Sequence, residues 1–215
     1  MSRNDFRVVL TGGPGGGKTT AAELFRREIN RQIVIVPESA TLLYSGGFPR
    51  SVHSDVRKIA QKAIYNVQLC LEEAQAAEYR SQFLLCDRGT VDGGAFWPGN
   101  SSEFFESLGT TLKQELARYD AVIFFETAAV SGLPFLSGNP LRIETEKEAV
   151  ELDIKLRELW SQHENFIFIP HDVSFVRKVQ AGLIAMQTVI EKELERSFKD
   201  LQRLDLSFRN DRSPF

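Results

Sequence analysis

The chain has few cysteines, no long hydrophobic run and no excess of positive charge. Its only cysteines are Cys70 and Cys86, and no CxxC spacing joins them. Each falls in an otherwise apolar segment, where a buried thiol acts as a small hydrophobic group. Neither a disulfide nor a zinc site is therefore expected.

Charge and hydropathy exclude further classes of protein. The 215 residues carry 26 basic and 29 acidic side chains, for a formal net charge of −3. Because basic residues are neither in excess nor collected in a run, nucleic-acid binding is not expected. The first residues reach glycine after a short apolar run and lack the long apolar stretch of a signal peptide or a membrane span. We therefore expect a cytoplasmic protein without membrane contact.

Apolar runs of strand length alternate with longer stretches of helical period. The apolar residues in the runs are consecutive, which is typical of parallel strands covered by helices on both faces. The predicted strands are Phe6 to Thr11, Gln32 to Val36, Phe83 to Cys86, Ala121 to Glu126 and Asn165 to Ile169. The predicted helices are Lys18 to Asn30, Val56 to Tyr79, one from about Phe104 to Leu116, Thr145 to His163, and Phe175 to Leu201. This order predicts one α/β domain over residues 1–201, with a five-stranded, mainly parallel sheet and a poorly defined tail at 202–215.

The second predicted helix carries an apolar stripe at helical spacing, which predicts the face that packs against the sheet. Its charged residues, such as Arg57 and Lys62, fall mostly outside this stripe. The stripe consists of Ile59, Ala63, Val67, Cys70, Leu71 and Ala74.

Residues 12–19 fit the phosphate-binding pattern G-x-x-x-x-G-K-[ST], between a predicted strand and a predicted helix. Without Cβ atoms the backbone can wrap inward, so that N–H groups converge on phosphate at the positive end of the helix. Lys18 is expected to reach the β- and γ-phosphates, and the Thr19 hydroxyl to bind Mg²⁺ with support from Thr20. The alternative, a Gly-rich turn without function, leaves the lysine and threonine unexplained. The predicted nucleotide-binding residues are Gly12, Gly13, Pro14, Gly15, Gly16, Gly17, Lys18, Thr19 and Thr20.

Charged residues follow two of the predicted strands. Asp87 lies where the third strand meets the phosphate site, and is expected to hold Mg²⁺ opposite Thr19. Arg88 is expected to bind phosphate; a surface turn with a local ion pair is the alternative for this segment. Glu38 follows the second strand and is predicted to orient an acceptor hydroxyl or take its proton, the alternative being a capping or solvated glutamate.

The loops after these strands hold weaker candidates. Phe96 and Trp97, close to Asp92, fit a surface for a nucleobase, although packing in the core is the favoured interpretation. Arg50 and His53 fit contacts to an anionic acceptor, and equally fit solvated loop residues.

Three segments together, GGPGGGKTT, VPESATLL and CDRGTVDGGAFWPG, resemble a family of small AAA-type ATP-binding domains that are similar to nucleoside and nucleotide kinases. The family includes the N-terminal domain of the animal TRPL translocation defect protein 14 and, more distantly, nicotinamide riboside kinase domains. The resemblance implies a P-loop NTPase three-layer sandwich with a thymidylate-kinase-like sheet. It also implies a lid at about residues 131–147, with Arg142 closing over the triphosphate; a solvated residue at the start of a helix is the alternative for Arg142.

Two functional hypotheses follow. In the first, the protein is a small-molecule kinase that uses ATP and Mg²⁺, with Lys18, Glu38, Asp87, Arg88 and Arg142 as catalytic residues. In the second, it is a nucleotide-dependent switch, or a regulatory ATPase or GTPase, without a small-molecule acceptor. ATP is the default nucleotide because no Asn-Lys-x-Asp guanine-recognition motif follows the later strands, and GTP stays possible. The sequence leaves the acceptor and the oligomeric state open.

Overall fold

The computed structural model describes residues 5–29, 33–80, 83–131 and 145–210. Five parallel strands form one sheet in the order β2-β3-β1-β4-β5. The strands are β1 (Phe6–Thr11), β2 (Ile33–Val36), β3 (Phe83–Asp87), β4 (Ala121–Phe125) and β5 (Phe166–Ile169). The predicted α/β fold with a parallel five-stranded sheet is confirmed.

Helices connect every pair of consecutive strands. They are α1 (Lys18–Glu28), α2 (Ser39–Ser45), α3 (Ser54–Glu78), α4 (Asp92–Phe96), α5 (Ser101–Ser107), α6 (Leu112–Leu116), α7 (Glu146–Trp160) and α8 (Phe175–Asn210). The helix predicted from Phe104 to Leu116 is two short helices, and α8 continues past its predicted end at Leu201. None of the helices within the described ranges is both long enough and apolar enough to cross a membrane.

The sheet lies between two helical layers, each with its own hydrophobic core. On one face, Val8 and Leu10 pack with Phe25 of α1 and Met186 of α8. On the other face, residues of α4, α5 and α7 cover the sheet, including Phe104 and Trp160, which are fully buried. Alternate residues of β1 serve opposite cores, because successive side chains of a strand point to opposite faces. This arrangement explains why the strands are apolar at consecutive positions.

Helix α3 does not pack as its apolar stripe predicted. Ile59 is 60% exposed and Cys70 is exposed, whereas Gln61, Gln68 and Glu72 are buried. The carboxylate of Glu72 meets guanidinium groups, with Oε2 3.0 Å from Arg7 Nη1 and 2.9 Å from Arg118 Nη2. Burial of Glu72 is tolerated because its carboxylate is paired with guanidinium groups. Gln61 and Gln68 line a cavity that is described below. Leu71 of the stripe packs against the core, so the predicted packing face is only partly right, whereas the predicted burial of Cys70 is wrong.

Candidate functional site

The loop between β1 and α1 turns through conformations that favour glycine. Gly12 has a φ of 127°, and a Cβ at this position would overlap the carbonyl oxygen of Phe125. Gly17, directly before α1, has a φ of 86°. A side chain at either position would be strained, so the path of the loop depends on both glycines.

Lys18 is turned back onto the loop. The residue is 3% exposed, and its ammonium donates to the carbonyl oxygens of Gly12 and Gly13, at 2.8 Å each. Carbonyl groups are neutral acceptors, and a hydrogen bond between an ammonium and a phosphate oxygen is stronger because both partners are charged. The ammonium therefore lies at the loop, close enough to Glu38 and Asp87 for its charge to favour the ionised form of both carboxyl groups.

A hydroxyl and a carboxylate meet next to Lys18. Thr19 Oγ1 donates to Asp87 Oδ2 at 2.7 Å, across the ends of α1 and β3. Burial raises the pKa of Asp87, and the neighbouring carboxylate of Glu38 raises it further. Mg²⁺ prefers oxygen ligands and retains several waters in sites of this kind. As oxygen ligands, the Thr19 hydroxyl and the Asp87 carboxylate would fit a magnesium ion at this point.

Arg88 links three elements of the site. Its Nε donates to Glu38 Oε1 and its Nη1 to Asp92 Oδ2, both at 2.6 Å. The residue has a φ of 76°, in the left-handed region that costs a non-glycine residue about 1–3 kcal/mol. On its other oxygen, Asp92 accepts from Thr11 Oγ1 at 2.8 Å and from Trp160 Nε1 at 2.7 Å. The guanidinium is thus fixed between two carboxylates.

Glu38 lies at the start of α2 and faces this network. Its Oε1 binds Arg88, and its Oε2 accepts a hydrogen bond from the Thr41 hydroxyl. Burial alone would raise the pKa of Glu38, but Arg88, the Thr41 hydroxyl and the Lys18 ammonium together hold the pKa below its ordinary value. At neutral pH Glu38 is therefore an ionised carboxylate.

Residues late in the chain also hold the phosphate loop, and sequence reasoning did not find them. Asp153 Oδ1, on α7, accepts from Gly13 N at 2.7 Å and from Thr127 N at 2.9 Å. The hydroxyl of Thr127 donates to the Pro14 carbonyl, and Lys178 Nζ, on α8, donates to Gly16 O at 3.0 Å. No sequence motif predicts these contacts, since they join residues that are far apart in the chain.

Replacing Asp153 by alanine is expected to lower the free energy of unfolding by about 2–4 kcal/mol, because each buried N–H left without a partner costs about 1–3 kcal/mol. Asp153→Asn retains an oxygen for both N–H groups and is expected to lose less than half as much. Urea denaturation of the two variants measures this difference. Equal losses in both variants, or a loss below about 1 kcal/mol for alanine, would show that the two hydrogen bonds contribute little.

Lys178 is expected to make the free energy of unfolding change with pH in the alkaline range. Burial lowers its pKa from the ordinary 10.5 to about 8, so folding disfavours the protonated ammonium. This penalty is complete below pH 8 and disappears as pH rises from 8 to 10.5. The stability of the native protein, relative to Lys178→Met, is therefore expected to increase by about 2.5 kcal/mol between pH 7 and pH 10. Denaturant unfolding of both proteins across this range tests the slope, and a constant difference would contradict it.

A cavity of about 510 Å³ opens beside the phosphate loop. Pro14 of the loop, Glu38 and Arg88 line one part of it, so the phosphate site and the cavity share a wall. The remaining wall includes Thr41 and Tyr44 of α2, Arg57, Gln61, Tyr65 and Gln68 of α3, Asp92, Phe96 and Trp97 after β3, and Glu148, Glu151 and Lys155 of α7.

The structure brings together most of the predicted site residues. Lys18, Thr19, Glu38, Asp87 and Arg88 meet in one network at the carboxyl ends of β1, β2 and β3. Thr20 is exposed on α1 and makes no contact of this kind.

Other predicted candidates differ in their surroundings. Trp97 is 5% exposed and packs against Phe104, as the core interpretation held, and it also lines the cavity. Arg50 is exposed, stacks on Tyr44 at 4.3 Å and lines the cavity. Arg142 lies outside the described residues.

The chain matches a model of a known protein family. A family model described as an AAA domain matches residues 7–175. The chain belongs to this AAA domain family. Comparison with curated protein sequences found no match.

Solved structures share the fold of this AAA domain. NadR protein in complex with NR superposes with a TM-score of 0.60 at 14% identity, over 86% of this chain and 50% of NadR. NadR with NAD and AMP-PNP gives 0.59 at 14% identity, over 86% and 49%. Deoxyadenosine kinase from M. mycoides with bound dATP gives 0.55 at 12% identity, over 85% and 100%. The AAA domain thus spans about half the length of the NadR chains. At these identities the likeness shows a P-loop kinase-like fold.

Proposed function

We propose that the chain is a Mg²⁺-dependent kinase that transfers the γ-phosphoryl group of ATP to a hydroxyl of a nucleoside-like small molecule. The observation that carries this proposal is the shared wall between the phosphate loop and the cavity, where Pro14, Glu38 and Arg88 meet. A phosphoryl group held by the loop would face a space large enough for an acceptor.

On the nucleotide side, the loop from Gly12 to Thr20 holds the phosphates through its backbone N–H groups and the positive end of α1. Lys18 exchanges the carbonyl groups of Gly12 and Gly13 for phosphate oxygens. Thr19 and Asp87 would hold the metal, and bound Mg²⁺ would supply positive charge that offsets the negative charge of the β- and γ-phosphates.

On the acceptor side, Glu38 binds the hydroxyl that attacks. Its lowered pKa leaves the carboxylate ionised and able to accept a hydrogen bond from the hydroxyl. As the acceptor oxygen bonds to the γ-phosphorus, the bond from phosphorus to the bridging β-γ oxygen breaks, ADP leaves and the hydroxyl proton passes to Glu38. In a loose transition state the proton moves late, so the main role of Glu38 is to orient the hydroxyl.

Arg88 positions Glu38 in this scheme. Because both its Nε and its Nη1 bind carboxylates, the guanidinium fixes the direction of Glu38 while its charge lies beside the transferring group. The family resemblance assigns closure over the triphosphate to Arg142.

Release of ADP from ATP and Mg²⁺ is the measurement that tests the proposal, over a panel of nucleosides, nucleotides and vitamin-like alcohols. At least one hydroxyl compound is expected to raise ADP release well above the rate without acceptor, with one phosphorylated product formed per ADP. Slow hydrolysis that no acceptor changes would contradict a kinase and favour a nucleotide-dependent switch.

A further inference from the structure

The turn between β3 and α4, residues 88–91, is held by groups outside it. Arg88 begins the turn with a φ of 76°, a conformation that a non-glycine residue keeps only where its surroundings fix it. At either end the backbone holds itself, since Arg88 N donates to Leu10 O at 3.0 Å and Asp92 N to Gly89 O at 3.1 Å. Thr90 lies between these ends at 2% exposure, so its N–H group needs a partner from elsewhere.

Two buried aromatic rings pack directly against this turn. Trp160, the last residue of α7, is fully buried, and Tyr119, just before β4, is 4% exposed. Their centroids lie 5.4 Å apart in an edge-to-face arrangement. A Cβ at Gly89 would come within 2.8 Å of Trp160 Cη2 and 3.0 Å of Tyr119 Cζ. The backbone of the turn therefore contacts both rings, and residue 89 has no room for a side chain.

Each ring also bonds the turn through its one polar atom. Trp160 Nε1 donates to Asp92 Oδ1 at 2.7 Å. Tyr119 Oη accepts from Thr90 N at 2.8 Å and donates to Glu72 Oε1 at 2.8 Å. Phenylalanine would supply either ring without its polar atom, so packing alone does not account for these bonds.

His163 joins the two aromatic residues through their backbones. Its N–H group donates to Trp160 O at 3.0 Å. Its Nδ1 accepts from Asn165 N at 3.0 Å, so Nε2 is the protonated nitrogen and donates to Tyr119 O at 3.0 Å. The end of α7 and the segment before β4 therefore form one support for the turn.

We propose that Trp160 and Tyr119 are positioning residues for the phosphoryl transfer, which fix the direction of Glu38 through the turn. Trp160 fixes one oxygen of Asp92, and the other oxygen receives Arg88 Nη1 at 2.6 Å. The Nε of Arg88 in turn donates to Glu38 Oε1 at 2.6 Å. The inference rests on the proposed function, because the direction of Glu38 affects a rate only where Glu38 binds the acceptor. A displacement of about 1 Å at a reacting group can lower a rate on the order of 100-fold.

Two substitutions, Trp160→Phe and Tyr119→Phe, remove the polar atoms and retain the rings. Each is expected to lower kcat by about 10- to 100-fold, because Glu38 then meets the hydroxyl in a less defined direction. The dissociation constant for ATP, measured by calorimetry, is expected to change by less than about threefold.

Phe166→Leu is the control for these variants. Phe166 packs in the same core at the first residue of β5, away from the carboxyl ends of the strands. This variant is expected to lower the melting temperature and to change kcat by less than about twofold. A control that loses as much kcat as the other variants, or an unchanged kcat in both of them, would overturn the inference.

A second background separates positioning from a general loosening of the core. Arg88→Lys retains the positive charge, but an ammonium cannot hold two carboxylates in the fixed geometry of a guanidinium. If Trp160 acts through Arg88, adding Trp160→Phe to Arg88→Lys is expected to lower kcat by less than about threefold further. An equal loss of kcat in both backgrounds would mean that Trp160 acts independently of Arg88, and would overturn the inference.

Crystal structures of the full-chain variants test the positioning without turnover. The distance from Arg88 Nε to Glu38 Oε1 is expected to increase from 2.6 Å to beyond about 3.5 Å, the limit of a hydrogen bond. An unchanged distance in both variants would overturn the inference, whether or not the protein is a kinase. An increased distance, with no acceptor phosphorylated by the native protein, would support the positioning of Glu38 and contradict the kinase. Thermal unfolding identifies a variant that fails to fold, and Tyr119→Phe provides the test if Trp160→Phe does not fold.

Discussion

Replacing Lys18 by alanine is expected to weaken the binding of ATP with Mg²⁺ by about 10- to 100-fold, since hydrogen bonds to charged groups contribute about 1.5–3 kcal/mol. Lys18 is 3% exposed, and its ammonium donates to the carbonyl groups of Gly12 and Gly13. A phosphate tail would add charge-assisted hydrogen bonds in a place where solvent screens them little. Isothermal titration calorimetry measures the dissociation constant directly.

The matched control for Lys18 is Lys113→Ala, which removes an exposed lysine on α6. This variant is expected to bind ATP as the native protein does. Thermal unfolding checks that Lys18→Ala is folded, because the change leaves two carbonyl groups without the ammonium. Unchanged ATP binding in a folded Lys18→Ala variant would remove the basis of the nucleotide site.

Replacing Glu38 by glutamine is expected to lower kcat by about 100- to 10,000-fold, the usual contribution of a positioned acid–base group. Glutamine keeps one oxygen, which can accept from Arg88, and its amide N–H group can donate to the Thr41 hydroxyl oxygen, so the network is expected to persist with that one bond reversed. Because Glu38 lies on the acceptor side, the dissociation constant for ATP is expected to change by less than about threefold. Steady-state kinetics with the acceptor found in the panel, together with calorimetry for ATP, separates the two effects.

Glu23→Gln is the control for the Glu38 variant, since Glu23 is an exposed residue of α1 that pairs with Arg26. It is expected to retain full activity. The pKa of Glu38 is held below its ordinary value of 4.5, so kcat of the native enzyme is not expected to fall through this group as pH drops from 8 to 5. A parallel loss of ATP affinity and kcat in Glu38→Gln would assign the residue to nucleotide binding instead.

Much of the fold, and the meeting of Lys18, Thr19 and Asp87 at the glycine-rich loop, could be predicted from the sequence because both depend on local patterns. Strands such as β1 are apolar at consecutive positions since each face of the sheet meets a helical layer. The glycines before Lys18 mark a loop whose backbone conformation other residues resist. Asp87 follows β3 directly, so its place beside Thr19 follows from the position of the strand end.

The residues that hold the phosphate loop from other elements could not be predicted from local patterns. Asp153 holds Gly13 across 140 residues, and Lys178 holds Gly16 across 162. An aspartate in the middle of a helix and a lysine near the start of another look like ordinary surface residues. Their contacts arise only when the sheet order brings α7 and α8 to the loop.

Helix α3 shows that apolar periodicity does not always predict which face of a helix is buried. Its apolar residues predicted one packing face, and the helix instead buries glutamines and a glutamate. Periodicity reports which side of a helix is apolar, and it misleads where a ligand cavity and buried ion pairs cover a polar side. The disagreement coincides with the side of α3 that lines the cavity.

The most direct measurement is a crystal structure of the protein with Mg²⁺ and a nonhydrolysable ATP analogue. We expect the phosphates along the loop, the metal between Thr19 and Asp87, and the γ-phosphate at the wall where Pro14 and Glu38 meet the cavity. A nucleotide whose γ-phosphate points away from that cavity, or a phosphate loop that stays empty at saturating analogue, would contradict the proposed kinase.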